Sequence, residues 1–548
     1  MSGTRVVIVG GGPAGLVLAI ELGRRGVPCV VLEEDPGPPD FPKANATTSR
    51  TMEHYRRLGF AAEIRALGLP EDYPQDITYF TRYTRHELAR LRGRSRREAV
   101  EARESADARW PTPEPLHRAQ QMYIEVVLRR HAQKWPAVDL RVGWRGERVE
   151  SRPDGVTVEA RHLATGSMER IEADYAVGCD GARSVVREAL GIRYEGFAGE
   201  ERPWMGGRML ATYFRAPAFY SIVRAERSWQ YWAINPERRG AACAIDGHGL
   251  FVLHVQLPRG EKGSVPFARE SLALTAGFEV PHEILGIEEW MAGYTLVAER
   301  FGNDRVFLAG DAAHLFTPTA GQGYNTSVDD ASNLGWKLAA VCQGWGGPRL
   351  LQSYERERQP IAHRNTRFAR EMADSIGLMR LPRTLEEASA EGEKARAELG
   401  ERLYRHAAAE FDVPGIHFGM WYGASPIVAD ADVEPPVNDP SRYVPSSCPG
   451  ARAPHVWLED GVSIFDRLGR DFTLLRLGKG RTLDTSGLEA AARERGVPFR
   501  VLDVEGEEAR DLYARDLLLI RPDQHVAWRG HAPPPDAGAL WARVTGHG

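Results

Sequence analysis

The chain has 548 residues, 43% hydrophobic and 26% charged, with a formal net charge of −5. That length suits two or three domains, and the mild acidity gives no general electrostatic reason to bind nucleic acid. Five cysteines, Cys29, Cys179, Cys243, Cys342 and Cys448, stand far apart without a CxxC pair, the mark of a reduced, cytoplasmic chain rather than a disulfide framework.

The first run, VVIVGGGPAGLVLAIEL after Arg5, has the look of a signal peptide or short membrane span. Three successive glycines and Glu21 spoil both, and a span needs about twenty apolar residues. It reads better as a buried strand, Val6–Val9, a tight turn at Gly10-x-Gly12-x-x-Gly15 and a helix to about Gly23. A second strand over 29–32 ends in Glu33. Strand, glycine turn, helix, strand and acid together form a dinucleotide fingerprint. The helix N-terminus offers unpaired N–H groups to a pyrophosphate, and Glu33 stands where an acid accepts ribose hydroxyls.

The stretch 82–104 is locally basic, but its interleaved acids suit a solvated helix better than a nucleic-acid or membrane patch. DYAVGCDGARSVVREALGI repeats the strand–turn–helix theme, with a strand over 175–179, a turn at Asp180-Gly181 and a helix over 184–190. The segment 192–290 is rich in aromatics (Trp204, Tyr213, Phe214, Tyr220, Trp229, Tyr231, Trp232). Its apolar runs, such as GLFVLHVQL, suit a sheet that houses a flat substrate.

A third strand–turn–helix is RVFLAGDAAHLFTPTAGQGYNTSVDDASNLGWKLA. Asp311 stops the strand, where a carboxylate can accept a sugar-chain hydroxyl. Gly321 and Gly323 leave backbone bare beside a flat ring. The helix that follows puts Val328, Ala331, Leu334, Leu338 and Val341 on one apolar face, with Asp329, Asp330 and Lys337 elsewhere. A further helix is expected from Leu385 to about Glu410, opened by a Thr384/Glu387 capping box.

Taken in order, the glycine fingerprint, Asp180-Gly181 and Gly310-Asp311 resemble the single-component FAD-dependent aromatic hydroxylases. PKANATTSRTMEHYRRLG, PTAGQGYNTSVDDASNLGWKLA and SYERERQPIA look like the branch of phenol hydroxylase and 2,4-dichlorophenol 6-monooxygenase. The tail, from PGARAPHVWLEDGVSIFDRLGRDFTLLRL to LLLIRPDQHVAWRG, looks like that branch's thioredoxin-like domain. The resemblance implies an α/β fold. A Rossmann-like FAD-binding domain (1–191, with an inserted segment about 75–115, and 295–375) is interrupted by a mainly antiparallel substrate domain (192–294). A helical linker (376–438) and a C-terminal thioredoxin-like α/β domain without CxxC (439–548) follow.

It also implies non-covalent FAD, NAD(P)H as a transient reductant, dioxygen, a small aromatic substrate, no metal and a homo-oligomer, dimer or higher. FAD contacts carried over are Gly10, Gly12, Pro13, Ala14, Gly15, Glu33, Glu34, Arg50, Arg118, Gln121, Asp180, Asp311, Pro318, Gly321, Gly323, Tyr324 and Asn325. Asn45, Tyr213, Trp229, Tyr231, Pro318 and Thr319 would line the substrate pocket, with Asn45 and Pro318 nearest the chemistry. In such enzymes a flavin 4a-hydroperoxide hydroxylates a phenolic or hydroxypyridine ring, in natural-product tailoring or aromatic catabolism. Phenol hydroxylases carry an aspartate where this chain has Asn45, and an amide cannot take the phenol's proton.

Three rivals compete. A halogenase needs a tryptophan motif that WQYWAINP does not match. A redox relay needs a second thiol beside Cys448. A Baeyer–Villiger oxygenase acting on a polyketide-like ketone shares every motif and differs only in substrate placement.

Overall fold

Five strands build the first sheet of the computed structural model, which describes residues 3–103, 109–199 and 202–548. Their order is Val306–Leu308, Tyr175–Gly178, Val6–Val9, Cys29–Glu33 and Val138–Val142. Every neighbouring pair is parallel, so all the carboxyl ends open on one rim, where ligand crevices form. Fully buried runs such as VVIV follow from a sheet covered on both faces. The helices Pro13–Gly23 and Gln322–Cys342 pack along each other beside it. A three-stranded antiparallel sheet, Trp144–Ser151, Val156–His162 and Met168–Ala173, shares the same core.

The second sheet has seven strands, in the order Glu283–Ala292, Gly207–Arg215, Leu250–Gln256, Arg239–Ala244, Gln230–Ile234, Ile77–Phe80 and Glu87–Leu91. Only Gln230–Ile234 and Ile77–Phe80 run parallel, so the segment near 75–115 contributes two strands to this sheet. The basic stretch is therefore not one solvated helix. It forms the edge strand Glu87–Leu91 and a short helix, Arg96–Glu101; Glu104 lies outside the described residues. Ion pairs explain the difference: Arg90 and Arg92 both reach Asp76, and Arg82 reaches Glu386 and Glu237. A charged edge strand also resists pairing with other chains.

The third sheet orders Phe499–Val504, Phe472–Leu477, Leu517–Ile520 and Val526–Gly530. Its first pair is parallel and the others antiparallel. With the helices Ser486–Glu494, Glu507–Tyr513 and Ala537–Val544 this is the thioredoxin arrangement. It packs on the helix Gln322–Cys342, where Trp336 and Ala340 join Phe472, Leu474 and Trp541 in one core.

That packing changes the reading of the long helix. The predicted apolar face is present, but Asp329, Asp330 and Lys337 are buried as well, because the helix Pro348–Gly377 and the C-terminal sheet close over the polar side. The next helix is Ala390–Phe411, capped by Ser389, whose side chain accepts from Gly392 N. Thr384 and Glu387 instead belong to a preceding turn. Arg396 takes the carbonyls of Leu385 and Glu387, so that turn is satisfied without being helical. Among the described residues no helix is long and apolar enough to cross a membrane.

Candidate active site

Three strand ends converge on one cavity of about 620 Å³. Gly10 turns with φ +103°, and a Cβ there would lie 2.2 Å from the Cys179 carbonyl oxygen. At Gly15 a Cβ would come within 2.0 Å of Gly10 O, whereas at Gly12 it would meet nothing within 4 Å. Gly10 and Gly15 thus close the turn, and Gly12 leaves room for a ligand. Gly12, Pro13 and Ala14 line the cavity. Glu33 ends its strand beside the turn, accepting from Gly11 N at 2.6 Å and Asp35 N at 2.9 Å, with lone pairs left over for a hydroxyl.

Asp311 is bared to the same cavity. Burial raises its carboxyl above the usual range, against the pull of His314 and Lys43, and its side chain has no hydrogen-bond partner among the described residues. The turn carrying it is fixed by Asp330, which accepts from Gly310 N at 3.2 Å and holds His314 Nε2 at 2.6 Å and Arg358 Nε at 2.8 Å. The helices starting at Pro13 and Gln322 both lack a side-chain cap, so their first N–H groups stay available to a ligand. An open carboxylate and two open helix ends in one groove fit the ribityl hydroxyls, pyrophosphate and ring of FAD.

At the ring end, Ala320 (φ +60°) and Gly321 (φ +62°) form a left-handed pair ahead of the long helix. Pro318, Thr319, Gly321, Gln322, Gly323 and Tyr324 line the wall. The Thr319 hydroxyl turns away to Ala369 O. Asn325 offers no free side chain: its amide accepts from Thr48 N and Thr51 and donates to Ala46 O and Gly321 O. Tyr324 is bonded to Tyr55 and Gln121 to Glu125, and both line the cavity.

The second sheet floors the cavity opposite. One cross-strand row runs Glu288, Ala211, His254, Ala241, Trp232, and all five line it. Gln230 and Cys243 follow in the next row beside Asn45. Alternation therefore settles which aromatics of Gln230–Ile234 see the ligand. Tyr231 points to the far face, packed on Phe219 and Phe251, and Trp229 lies under Arg118. Tyr213 packs edge-on against Phe41. None of these three lines the cavity, contrary to the sequence expectation. The sequence reading named Trp232 only among the segment's aromatics, without a place in the pocket, and missed Gln230, Cys243, His254 and Glu288. A polar Gln230 inside an apolar strand was the available signal for the ligand-facing parity.

Four further expectations change. Arg50 is fully buried, donating to Glu53, Gln524 and Asp523 O, so it clamps the C-terminal domain. Glu34 pairs with Arg145 on the surface. Asp180 accepts from Val186 N at the next helix start, while its neighbours Gly181 and Ala182 line the cavity. Arg118 is stacked 3.7 Å over Trp229 and does not line the FAD groove. Two thiols, Cys179 and Cys243, do line the cavity. Burial raises both, Cys243 to about 12, so neither is a thiolate ready to attack a flavin.

Comparison with known proteins agrees with this geometry. A family profile described as an FAD binding domain matches residues 3–369, and one described as an aromatic-ring hydroxylase C-terminal domain matches 446–546. The FAD-dependent monooxygenase apdD of Emericella nidulans is 31% identical, over 99% of this chain and 90% of its own. A 2,4-dichlorophenol 6-monooxygenase of Cupriavidus pinatubonensis is 30% identical, over 97% and 94% of the two chains. Among solved structures, RebC soaked with chromopyrrolic acid and holding 7-carboxy-K252c is 36% identical. The match covers 100% of this chain and 99% of RebC, with a TM-score of 0.89.

Proposed function

We propose, from the premise that this chain belongs to the FAD-binding aromatic-ring hydroxylase family, that it hydroxylates a phenolic substrate of several fused rings. The floor carries the reading. From Glu288 to Trp232 it crosses five strands, about 19 Å at the usual strand spacing. Its centre is Ala211, His254 and Ala241, with Trp232 and Trp290 standing at the sides. A single phenol would leave most of that floor wet; a flat polycycle covers it. A relative named aklavinone 12-hydroxylase, from Streptomyces peucetius, is 33% identical over 87% of the chain, which supports the same substrate class.

Bound FAD, reduced by NAD(P)H, supplies the activated dioxygen. The protein's own part is placement. Gly10 to Gly15 and Asp311 hold the nucleotide and sugar chain, and Gly321 to Tyr324 present bare backbone to the ring. The aromatic walls exclude water. Asn45 orients a ring hydroxyl without taking its proton. The five cysteines remain free thiols, in keeping with a cytoplasmic enzyme, and a homo-oligomer completes the proposal, open to sedimentation analysis.

The deciding measurement is NAD(P)H consumption by the purified yellow protein with single-ring phenols and with hydroxylated anthraquinones, followed by product mass and structure. Tight coupling to ring hydroxylation only with the polycycles is expected. Preference for simple phenols would overturn the substrate class, and a ketone converted to an ester would move the enzyme to Baeyer–Villiger chemistry.

A further inference from the structure

The cavity floor carries an imidazole that the protein itself leaves open. His254 stands on the strand Leu250–Gln256, between Ala211 and Ala241 on the strands to either side. Two alanine methyls leave its ring rising from a low floor. That strand has a neighbour on each side, so the surface kept by the partly exposed His254 opens on the cavity it lines. Trp290, which also lines the cavity, meets the ring edge-on at 5.6 Å and 84° and fixes its plane.

The imidazole has no hydrogen-bond or ion-pair partner among the described residues. Its Nδ1 is sealed off from solvent and unpartnered. Orphaned buried N–H groups are rare, so the single proton of the neutral ring belongs on Nε2, the nitrogen left to donate into the cavity. Burial lowers the imidazole to about 4 with no charged neighbour contributing, so it is neutral at neutral pH. Glu288 shares its row but stands two strands away, across Ala211, about 10 Å at the usual strand spacing. A neutral donor set among alanines and tryptophans suits an uncharged acceptor. A carboxylate placed there would lose its hydration with no cation to offset the loss.

We propose that His254 determines specificity by donating from Nε2 to a carbonyl oxygen of the substrate, a fused-ring phenol that also carries a quinone or aryl-ketone group. Asn45 lies within hydrogen-bonding reach of Cys243, which is one strand across and two residues along from His254. The two polar contacts therefore address different parts of one ring system, the hydroxyl at Asn45 and the carbonyl at His254. This rests on the hydroxylase reading above and adds the second group that the substrate must carry.

The test uses oxidised, FAD-loaded enzyme without NAD(P)H and two probes of one outline, 2-hydroxyanthraquinone and 2-hydroxyanthracene. Kd is read from the change in flavin absorbance on titration. The wild type should bind the quinone about fivefold more tightly, the effect of one neutral hydrogen bond. His254→Phe should remove that preference by weakening the quinone alone. His254→Gln, which keeps an N–H donor, should restore most of it. Equal binding of the two probes by the wild type overturns the proposal without any variant. So does a preference that persists in His254→Phe or is lost as fully in His254→Gln. Tighter binding of anthracene-2-carboxylate than of the quinone would make His254 an anchor for an anion and overturn it as well. Coupled hydroxylation of polycycles alongside equal binding would leave the hydroxylase reading standing and remove only this inference. Binding of neither probe would remove the fused-ring reading and this inference with it.

Discussion

The helix Gln322–Cys342 separates two polar regions built on opposite rules, one closed by protein and one open to the cavity. On its C-terminal side the charges are paired. Lys337 meets Glu357 at 2.7 Å, Glu357 meets Arg521, Arg521 meets Asp523, and Arg50 and Arg452 share Glu53. At its N-terminal end, among the described residues, the Asp311 side chain, open to the cavity, has no hydrogen-bond partner, the Arg118 side chain has neither a hydrogen bond nor an ion pair, and the helix start has no side-chain cap. Buried polar groups are normally satisfied. A closed network therefore marks where the chain holds itself, and an open one marks where it expects a ligand. The lesson is practical: in this fold, charge alone does not locate the site, but missing partners do.

If the closed network is structural, breaking it should have the largest effect. Glu357→Ala strips Lys337 of its counter-charge and leaves Arg521 with Asp523 alone, a loss of about 3–5 kcal/mol, read as a lowered denaturant midpoint. The same group sets an acid limit. Burial pushes the Glu357 carboxyl up, but Arg521 and Lys337 outweigh that and hold it at about 2; Glu53 sits at about 2 for the same kind of reason, with Arg452 its main partner. Both are depressed from 4.5, so their contribution is complete above that pH and is lost as pH falls towards 2. A wild type whose stability is flat from pH 5 to 3 would break the comparison.

The ring wall comes next. Gly321→Val forces a branched side chain into φ +62° with its Cβ 3.0 Å from Ala46, strain of about 1–3 kcal/mol. The expected result is NAD(P)H consumed mainly to peroxide. Gly323→Val separates strain from ring contact, because its φ is ordinary and its nearest neighbour is 3.6 Å away. Uncoupling there reports on the flavin alone, and full coupling in both variants would remove the ring from this wall.

A smaller effect is expected at the open carboxylate. Asp311→Ala should weaken FAD by roughly tenfold, since a charge-assisted hydrogen bond is worth about 1.5–3 kcal/mol. The apoprotein should melt no lower, because no protein partner is orphaned. Loss of apoprotein stability would show that Asp311 belongs with the closed network after all.

The smallest effect contrasts two neighbours in one strand. Trp232→Phe trims the cavity wall and removes the indole donor to Gln230 Oε1 at 2.9 Å, so it should raise KM for the substrate a few-fold and cost about 1 kcal/mol. Tyr231→Phe removes a buried hydroxyl that accepts from Ser228 N at 2.8 Å, costing about 1 kcal/mol and leaving KM alone. The reverse pattern would put the strand in the opposite register.

Local rules made much of this protein legible in its sequence. The strand Val6–Val9, the glycine turn, Glu33 at its strand end and Asp311 at another are set by short-range patterns, since strand length, φ > 0 and helix starts depend on neighbouring residues. The apolar face of Gln322–Cys342 was legible for the same reason. Other features depended on what packs against them. Asp330 and Lys337 look like solvent-facing positions until the helix Pro348–Gly377 brings Arg358 and Glu357 against them, and Arg50 looks like a cofactor contact until Asp523 and Gln524 arrive from far along the chain. In SWQYWAI both strand faces carry aromatics, so only pairing with Arg239–Ala244 and Ile77–Phe80 decided that Trp232 meets the cavity and Tyr231 the core. Periodicity says that two faces exist; tertiary contact says which one is covered, because burial is a property of the partner as much as of the residue.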